Sequence, residues 1–362
     1  MRKHEIDFLR VGVFFLLIFY HTGMFFVPWD YHLKNNVISP EFELPMLIVN
    51  QWRLPILFMI SGLGTWFSIS RRHAGGFLLE RSRRLLIPLV FGMLVIVPPQ
   101  IYFERLAEGF PYTSYFDYYP VDTLNENYPE GNISWHHLWF LPYLFLFSVI
   151  LLVLKKGIDW LAVQAEKSKL FSSGWMVLLI ITLPTYVCEY FLRPLFPVTH
   201  ALVNDWFTFC NYLWLFLCGY FFARCMQDSW PMFRRMKYSM LVSGVILFTC
   251  WYLPVTDYYP VRALIRSLNM WCWIFAWTGL AISFFYQPRK WVSDANEAVY
   301  PFYILHQTIL IAIGYYIRDP DWPVLTKFFI MAAGTFIGCW ILYEGLIRRV
   351  NVLRVLFGMQ RK

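Results

Sequence analysis

The sequence is poor in charged residues. Asp, Glu, Lys and Arg make up 15% of its 362 residues, whereas a soluble domain has about 25%. Apolar residues make up 58%, and the mean hydropathy is +0.47. So little charge cannot cover the surface of a soluble enzyme of this length. The 21% aromatic residues and 21 prolines exclude a disordered chain, a collagen and a coiled coil. A polytopic membrane protein remains.

The sequence also lacks the motifs of common cofactor and metal sites. It has no Walker loop, dinucleotide fingerprint, HExxH or CxxC pattern. The seven cysteines lie in or beside apolar segments, where packing explains them better than metal binding. No metal site, no bound cofactor and no nucleic-acid partner is predicted.

Ten segments are apolar over about 20 residues, the length needed to cross a bilayer. They lie at 8–27, 46–69, 85–103, 136–154, 174–192, 206–224, 238–255, 264–286, 297–317 and 325–347. We predict an all-α membrane protein of about ten transmembrane helices, forming a single domain over residues 1–362. No small-residue cleavage site follows the first segment, so an anchor is expected there rather than a removable signal peptide.

The basic residues predict the orientation of these helices. Of the 31 Lys and Arg residues, 23 lie on the side of the two termini, seven lie on the other side, and Arg53 lies within a span. Because cytoplasmic loops are rich in Lys and Arg, both termini are expected in the cytoplasm. The outer loop at 104–135 is acidic and aromatic, which suits either a lid or an ordinary solvated face.

Ionisable residues inside a membrane are costly and therefore functional candidates. Arg10 and His21 are eleven residues apart, so they share a helix face, with His21 about 16 Å further out. Arg53 is expected about 12 Å deep in the second span, where Ser61-Gly62 should allow close helix packing. The structural alternatives are an interfacial anchor for Arg10, a hydrogen-bonded histidine between helices for His21, and an ion pair for Arg53.

Three further motifs stand at span ends or within a span. Arg81 and Arg84 form a cationic pair suited to phosphate, although cytoplasmic loops often contain such pairs. His136, His137 and Trp139 open the fourth span, as interfacial anchors or at the mouth of a site. His306 and Gln307 lie near the middle of the ninth span.

Together these motifs resemble integral-membrane acyltransferase family 3. The resemblance rests on the R-x10-H of Arg10 and His21, FMISG ending at Gly62, the RxxR of 81–84, HLWFL at 137–141 and YPFYILHQ at 300–307. It extends from residue 10 to about residue 358. The spacing from Arg53 to Ser61 and the ending LYEGLIRRVNVLRVLFG resemble a branch that succinylates periplasmic glucans.

The resemblance implies an O-acyltransferase that moves an acyl group from cytoplasmic acyl-CoA to a hydroxyl of a cell-envelope carbohydrate. It assigns the catalytic histidine to His21, its partner arginine to Arg10, and acyl-CoA binding to Arg81 and Arg84. Chemically, a neutral imidazole at His21 suits a general base, and Arg53 could orient the carbonyl or stabilise its oxyanion. A covalent acyl-histidine is the alternative. We expect His137, Trp139, His306 and Gln307 to bind substrate.

The expected partners are acyl-CoA, an envelope glycan and the bilayer of a bacterial inner membrane. The sequence does not distinguish acetyl-CoA from succinyl-CoA as the donor. A proton-coupled transporter or flippase is the main alternative, because it would also place His and Arg within the membrane. A scaffold for envelope assembly is a further alternative.

Overall fold

The computed structural model describes residues 3–253 and 255–361. Apart from one isolated β-bridge between Asn127 and Ile133, the regular structure of these residues is helical. The all-α prediction is therefore confirmed. Arg2 and Lys362, which entered the charge count, and Pro254 of the seventh predicted span lie outside the described residues.

The α-helices are as follows, in chain order: α1 His4–Met24, α2 Glu43–Asn50, α3 Arg53–Ile69, α4 Ala74–Arg81, α5 Ile87–Phe91, α6 Pro98–Ala107, α7 Tyr115–Asp122, α8 Phe140–Lys167, α9 Gly174–Val187, α10 Trp206–Arg224, α11 Met226–Tyr252, α12 Tyr259–Phe284, α13 Lys290–Ile317, α14 Val324–Leu342 and α15 Asn351–Leu356. Short 3₁₀ turns cover Pro40–Phe42, His136–Trp139 and Leu170–Ser172. Wider π-turns cover Ser82–Leu86, Gly92–Ile96, Cys188–Leu192 and Tyr343–Ile347.

Eight helical segments of the described chain are long and apolar enough to cross a membrane. They correspond to the predicted spans one to six, nine and ten, so the polytopic membrane protein is confirmed. The seventh and eighth predicted spans coincide with α11 and α12, which pack extensively against each other. These two helices are not among the eight, because polar residues dilute their apolar runs, as Arg262, Arg266 and Asn269 do in α12.

The second span is not the continuous helix that the sequence predicted. It is interrupted at Gln51 and Trp52, between α2 and α3. Arg53 is the first residue of α3 and is 4% exposed. A break at membrane depth is tolerated only where protein or a water-filled cavity surrounds the backbone, and the polar run Asn50-Gln51 coincides with it.

The third span is wound irregularly because of its prolines. Pro88 and Pro98 have no N–H with which to bond the carbonyls four residues earlier, those of Arg84 and Leu94. Tyrosine hydroxyls replace the missing donors: Tyr300 donates to the Arg84 carbonyl over 2.8 Å and Tyr119 to the Leu94 carbonyl over 2.9 Å. A π-turn precedes each proline-containing helix. Tyr300 and Tyr119 therefore pair the carbonyls that Pro88 and Pro98 leave without their helical donors.

Contacts divide the chain into two compact units that alternate in sequence. Unit 1 comprises residues 1–13, 48–79 and 143–293. Unit 2 comprises residues 14–47, 80–142 and 294–362. Unit 2 has an apolar core formed by Phe25, Phe26, Leu33, Leu310, Ile311, Ile317 and Met331. The single domain over residues 1–362 stays a prediction.

Helices α3 and α10 of unit 1 approach each other closely through glycine. A Cβ at Gly62 would lie 1.9 Å from the carbonyl oxygen of Phe216, and one at Gly219 would lie 2.0 Å from that of Met59. The close packing predicted at Ser61-Gly62 is therefore confirmed. None of the seven cysteines, all within the described ranges, forms a disulfide.

Gly62→Ala should separate α3 from α10, because the added methyl group meets backbone that cannot rotate away. Overpacking of this kind costs about 1–3 kcal/mol, so the thermal midpoint in detergent, followed by tryptophan fluorescence, should fall by several degrees. Gly157→Ala in α8 is the matched control, since nothing lies within 4 Å of a Cβ there. Equal midpoints for the two variants would contradict the packing argument.

Candidate functional site

Unit 2 joins the two histidines that the sequence placed within the membrane. His21 lies in the last turn of α1, and His306 lies within α13. The Nδ1 atom of His21 is 2.8 Å from the Nε2 atom of His306, and the rings stack with their centroids 5.0 Å apart. His306 is 1% exposed. His21 is half-buried, and the two imidazoles form one hydrogen-bonded pair.

The surroundings of His306 decide which nitrogen of His21 can accept a proton. The Nδ1 atom of His306 lies 2.8 Å from the carbonyl oxygen of Tyr303. A carbonyl only accepts, so this nitrogen carries the hydrogen, and the Nε2 atom of neutral His306 must be an acceptor. His21 therefore donates from Nδ1. The lone pair of neutral His21 then lies on Nε2, the atom that can take a proton from a substrate.

His137 holds α13 against the start of α8. Its Nε2–H donates to the carbonyl of Ile304 over 3.0 Å, and the hydroxyl of Tyr303 donates back to the His137 carbonyl over 2.6 Å. The ring of His137 meets that of His306 edge-on, with centroids 5.2 Å apart. Two predicted motifs, HLWFL and YPFYILHQ, are thus brought together. These bonds give His137 a positioning role, and its contact with substrate stays a prediction.

Two polar residues that sequence reasoning missed complete this arrangement. Gln100 is fully buried; its amide nitrogen lies 3.4 Å from Nδ1 of His137 and donates to Thr308 over 2.8 Å. Thr308 donates to the carbonyl of Ile96 over 2.7 Å. Gln100 could have been recognised as a candidate, because it is a glutamine within the otherwise apolar third span. The pair links α6 and α13 beside the histidines.

The segment after α1 is held by the ammonium group of Lys34, which is half-buried. Lys34 donates to the carbonyls of Met24 and Val27, each over 2.7 Å, and to that of Trp29. These bonds satisfy carbonyls that the end of a helix leaves without partners. Burial lowers the pKa of Lys34 to about 8, against a smaller opposing effect of Asp30. Lys34 thereby orders the backbone on which Tyr31 and His32 stand.

Glu104 is not part of an exposed loop, as the sequence suggested. Helix α6 extends to Ala107, and Glu104 is 5% exposed within it. Its carboxylate accepts hydrogen bonds from the Tyr128 hydroxyl over 2.7 Å and from Nδ1 of His32 over 3.0 Å. The ring of Tyr31 lies 6.3 Å from that of His21. A second polar cluster therefore lies close to the histidine pair within unit 2.

The predicted phosphate-binding arginines lie in different units. Arg10, in unit 1, is half-buried and pairs with Asp7 over 3.5 Å. Arg81 ends α4 in unit 2, and Arg84 is exposed within the following π-turn, 3.5 Å from Glu80. Arg81 and Arg84 are therefore not related by the spacing of one regular α-helix, and π-turns are frequent at functional sites.

Unit 1 also holds Arg53 beside an ordered loop. Asp205 is fully buried and accepts hydrogen bonds from the backbone N–H of His200 over 3.0 Å and from the Thr208 hydroxyl over 2.6 Å. His200 has a positive φ of 57°. Burial lowers the pKa of His200 to about 4; Asp205 opposes that change and Arg53 adds to it. His200, which lies within the electrostatic influence of Arg53, therefore stays neutral at physiological pH.

The remaining predicted residues are buried. Trp139 is 8% exposed in the 3₁₀ turn before α8, and Gln307 is 3% exposed in α13. Neither has a contact that assigns it to a substrate, so both roles stay predictions.

A cavity of about 540 Å³ lies in unit 1. Its lining includes three cations and two large aromatic rings: Trp66, Arg72, Lys155, Tyr220 and Arg224. Lys155 pairs with Asp159, and Arg224 pairs with Glu166 over 3.3 Å. Cations and aromatic faces together suit a ligand with phosphates and a flat base. In the sequence, these three cations count only among the 23 basic residues on the side of the termini.

The fold and this site define a polytopic membrane protein with a hydrogen-bonded histidine pair and no motif of a redox cofactor in its sequence. Residues 3–344 match the acyltransferase domain family. The chain belongs to that family, as its motifs implied. The enzyme is therefore better supported than the transporter.

Several curated proteins resemble part of the chain. "Glucans biosynthesis protein C" from Salmonella paratyphi B, Salmonella heidelberg and Salmonella schwarzengrund is 24% identical over 178 residues in each case. The matched segment covers 46% of this chain and 42% of each relative, so the chain matches less than half the length of these relatives. This weak similarity agrees with the predicted glucan branch. No solved structure matches the chain.

The low pKa of His200 should make stability depend on pH. Between its ordinary value of 6.5 and about 4, the unfolded chain binds a proton at this residue that the folded protein does not. Stability should therefore fall as the pH drops through that window. We expect His200→Gln to lose less of its thermal midpoint between pH 7.5 and pH 5 than the wild type does. The exposed His73, as His73→Gln, is the control, and an unchanged loss in His200→Gln would refute the assignment.

Proposed function

We propose that this acyltransferase moves an acyl group from cytoplasmic acyl-CoA to a hydroxyl of an extracytoplasmic envelope carbohydrate, with His21 as the general base. The proposal rests chiefly on the hydrogen bond from Nδ1 of His21 to Nε2 of His306, measured at 2.8 Å. This bond favours the tautomer in which Nε2 of His21 carries the lone pair. It also favours the imidazolium that forms when His21 takes a proton, because His306 accepts from the opposite nitrogen.

The proposed reaction uses the thioester as an already activated donor. The acceptor hydroxyl oxygen attacks the thioester carbonyl while Nε2 of His21 takes the hydroxyl proton. The tetrahedral intermediate then collapses, its carbon–sulfur bond breaks, and His21 returns the proton to the leaving thiolate. The alternative, in which Nε2 of His21 first carries the acyl group, uses the same lone pair. Neither route requires a redox cofactor.

Arg53 is the proposed cation for the acyl carbonyl or its oxyanion. Two features support this role. Arg53 is buried at the break of the second span, and an arginine side chain is always positively charged. A cation aimed at developing negative charge in a dry environment is among the largest single contributions to catalysis. The same charge would suit the carboxylate of a succinyl donor.

Donor binding is proposed for two sets of cations. Arg10, Arg81 and Arg84 are expected to hold phosphates of CoA on the cytoplasmic side, as their family motifs imply. The cavity lined by Arg72, Lys155 and Arg224 is an additional candidate for the nucleotide end of the donor, because Trp66 and Tyr220 supply faces for an adenine ring. CoA is a substrate in this scheme and not a bound cofactor.

The proposed acceptor is a glycan at the outer face. The name of the relatives from Salmonella supports a glucan, and the aromatic outer segment supplies faces against which sugars stack. The excess of basic residues on the side of the termini supports cytoplasmic termini. A bacterial inner membrane would place the donor and the acceptor on opposite sides of this protein.

Acyl transfer by the purified protein in nanodiscs tests this proposal. Radiolabelled acetyl-CoA and succinyl-CoA are supplied separately, with an extract of envelope glycan as acceptor. We expect one donor to label the glycan and His21→Ala to lower the rate at least about 100-fold, since a general base contributes about 10²–10⁴-fold.

The exposed His73→Ala should keep the wild-type rate. His21→Ala should still unfold cooperatively in the same nanodiscs, at a lower midpoint because His306 loses its hydrogen bond from His21. Transfer that survives His21→Ala would remove this histidine from the mechanism. Failure to consume either donor, even by slow hydrolysis, would contradict the assignment of an acyl-CoA donor.

A further inference from the structure

We propose that His32, Glu104 and His136 bind one divalent transition-metal ion, of which Zn²⁺ fits best. The site lies within unit 2 and goes beyond the proposed acyl transfer, which does not require it. One nitrogen of each histidine and one carboxylate oxygen of Glu104 lie within 4.8 Å of one another. The three residues come from the segment after α1, from α6 and from the turn before α8.

The distances between the ligand atoms suit a tetrahedral ion. Zinc–nitrogen and zinc–oxygen bonds are about 2.1 Å long, so two ligand atoms on one tetrahedral ion are about 3.4 Å apart. Oε2 of Glu104 lies 3.0 Å from Nδ1 of His32 and 3.9 Å from Nε2 of His136. These separations bracket the expected value. The rings of His32 and His136 stack with their centroids 4.3 Å apart, so one ring must turn before both nitrogens can bind the same ion.

The state of His136 is the strongest indication of a missing ligand. Its side chain is 1% exposed, and its Nε2 atom has no hydrogen-bond partner within residues 3–253 and 255–361. The closest carboxylate oxygen, at 3.9 Å, is too distant for a hydrogen bond. A buried polar atom without a partner costs about 1–3 kcal/mol. A metal ion between His136 and Glu104 would remove that cost.

Neighbouring groups hold two of these ligands, His136 and Glu104, in place. Nδ1 of His136 lies 2.7 Å from Oγ of Ser134, which can accept its hydrogen and leave Nε2 for the ion. The hydroxyl of Tyr128 donates to Oε1 of Glu104 over 2.7 Å, leaving Oε2 toward the histidines. Such outer partners commonly fix metal ligands. His136 also has a φ of 40°, a strained backbone typical of functional positions.

The ligand types select the class of metal. Two imidazoles and one carboxylate match the ligands of zinc sites that keep one position open for water. Mg²⁺ and Ca²⁺ prefer oxygen ligands alone. The hydroxyl of Tyr31 is also buried without a hydrogen-bond partner in the described chain. A water molecule bound at the open position of the ion would provide a hydrogen-bond partner in this region.

The site would tie together three segments beside the histidine pair. His32 follows Tyr31, whose ring lies 6.3 Å from that of His21, and His136 precedes His137 in the chain. A bound ion would therefore stabilise the folded protein by binding it in preference to the unfolded chain.

Metal content tests the proposal directly. The whole protein is purified with an affinity tag that contains no histidine, stripped with EDTA, reloaded with ZnCl₂, dialysed and analysed by mass spectrometry for zinc. We expect about one Zn²⁺ per chain in the wild type and at least a tenfold weaker affinity in His32→Gln and His136→Asn. Asparagine is chosen because it tolerates the positive φ at 136. His200→Gln and His73→Gln are controls that should keep the ion.

A second measurement needs no variant. The wild type loaded with Co²⁺ should show the visible absorption of a tetrahedral site, which Zn²⁺ should abolish, and EDTA should lower its thermal midpoint. Zinc content that is unchanged in both site variants would overturn the proposal. So would a wild type that neither retains Zn²⁺ nor gives the Co²⁺ spectrum.

Discussion

The hydrogen bond between His21 and His306 is the interaction on which this account depends. An imidazole can donate from one nitrogen and accept at the other, so the role of each ring is decided by its neighbour. The Tyr303 carbonyl fixes the ring hydrogen of His306 on Nδ1. The acceptor Nε2 of His306 then fixes the ring hydrogen of His21 on Nδ1. His306 is buried and His21 half-buried, so their mutual hydrogen bond is largely shielded from water. A backbone carbonyl of α13 thereby decides which atom of α1 can act as a base.

The irregular winding of the surrounding helices serves the same polar arrangement. Prolines in the third span have no N–H to donate to the carbonyls four residues earlier. Tyrosine side chains from elsewhere in unit 2 donate to these carbonyls instead. Gln100 and Thr308 work in the same way at the Ile96 carbonyl. In a bilayer such groups cannot turn to water, so each bond ties two segments together. The resulting constraints hold α13 in register with the third span.

Local features of the sequence predicted much of the fold. The ten apolar runs coincide with helices, and the spacing of Arg10 and His21 placed both on α1. The contact of His21 with His306 could not be predicted, because 285 residues separate them and no local pattern links them. The burial of Glu104 was missed because an acidic residue before a polar loop is usually solvated. The break before Arg53 was missed because the apolar runs on either side of Asn50, Gln51 and Arg53 were long enough together to predict one continuous span.

The protonation of the histidine pair tests the central claim most directly. Protein with ¹⁵N-labelled histidine in lipid would be studied by solid-state NMR at neutral pH, with His21→Gln and His306→Gln assigning the signals. We expect hydrogen on Nδ1 of both rings, no hydrogen on either Nε2, and coupling from Nδ1 of His21 to Nε2 of His306. Hydrogen on Nε2 of His21 in the resting protein, or no coupling between the rings, would contradict the account.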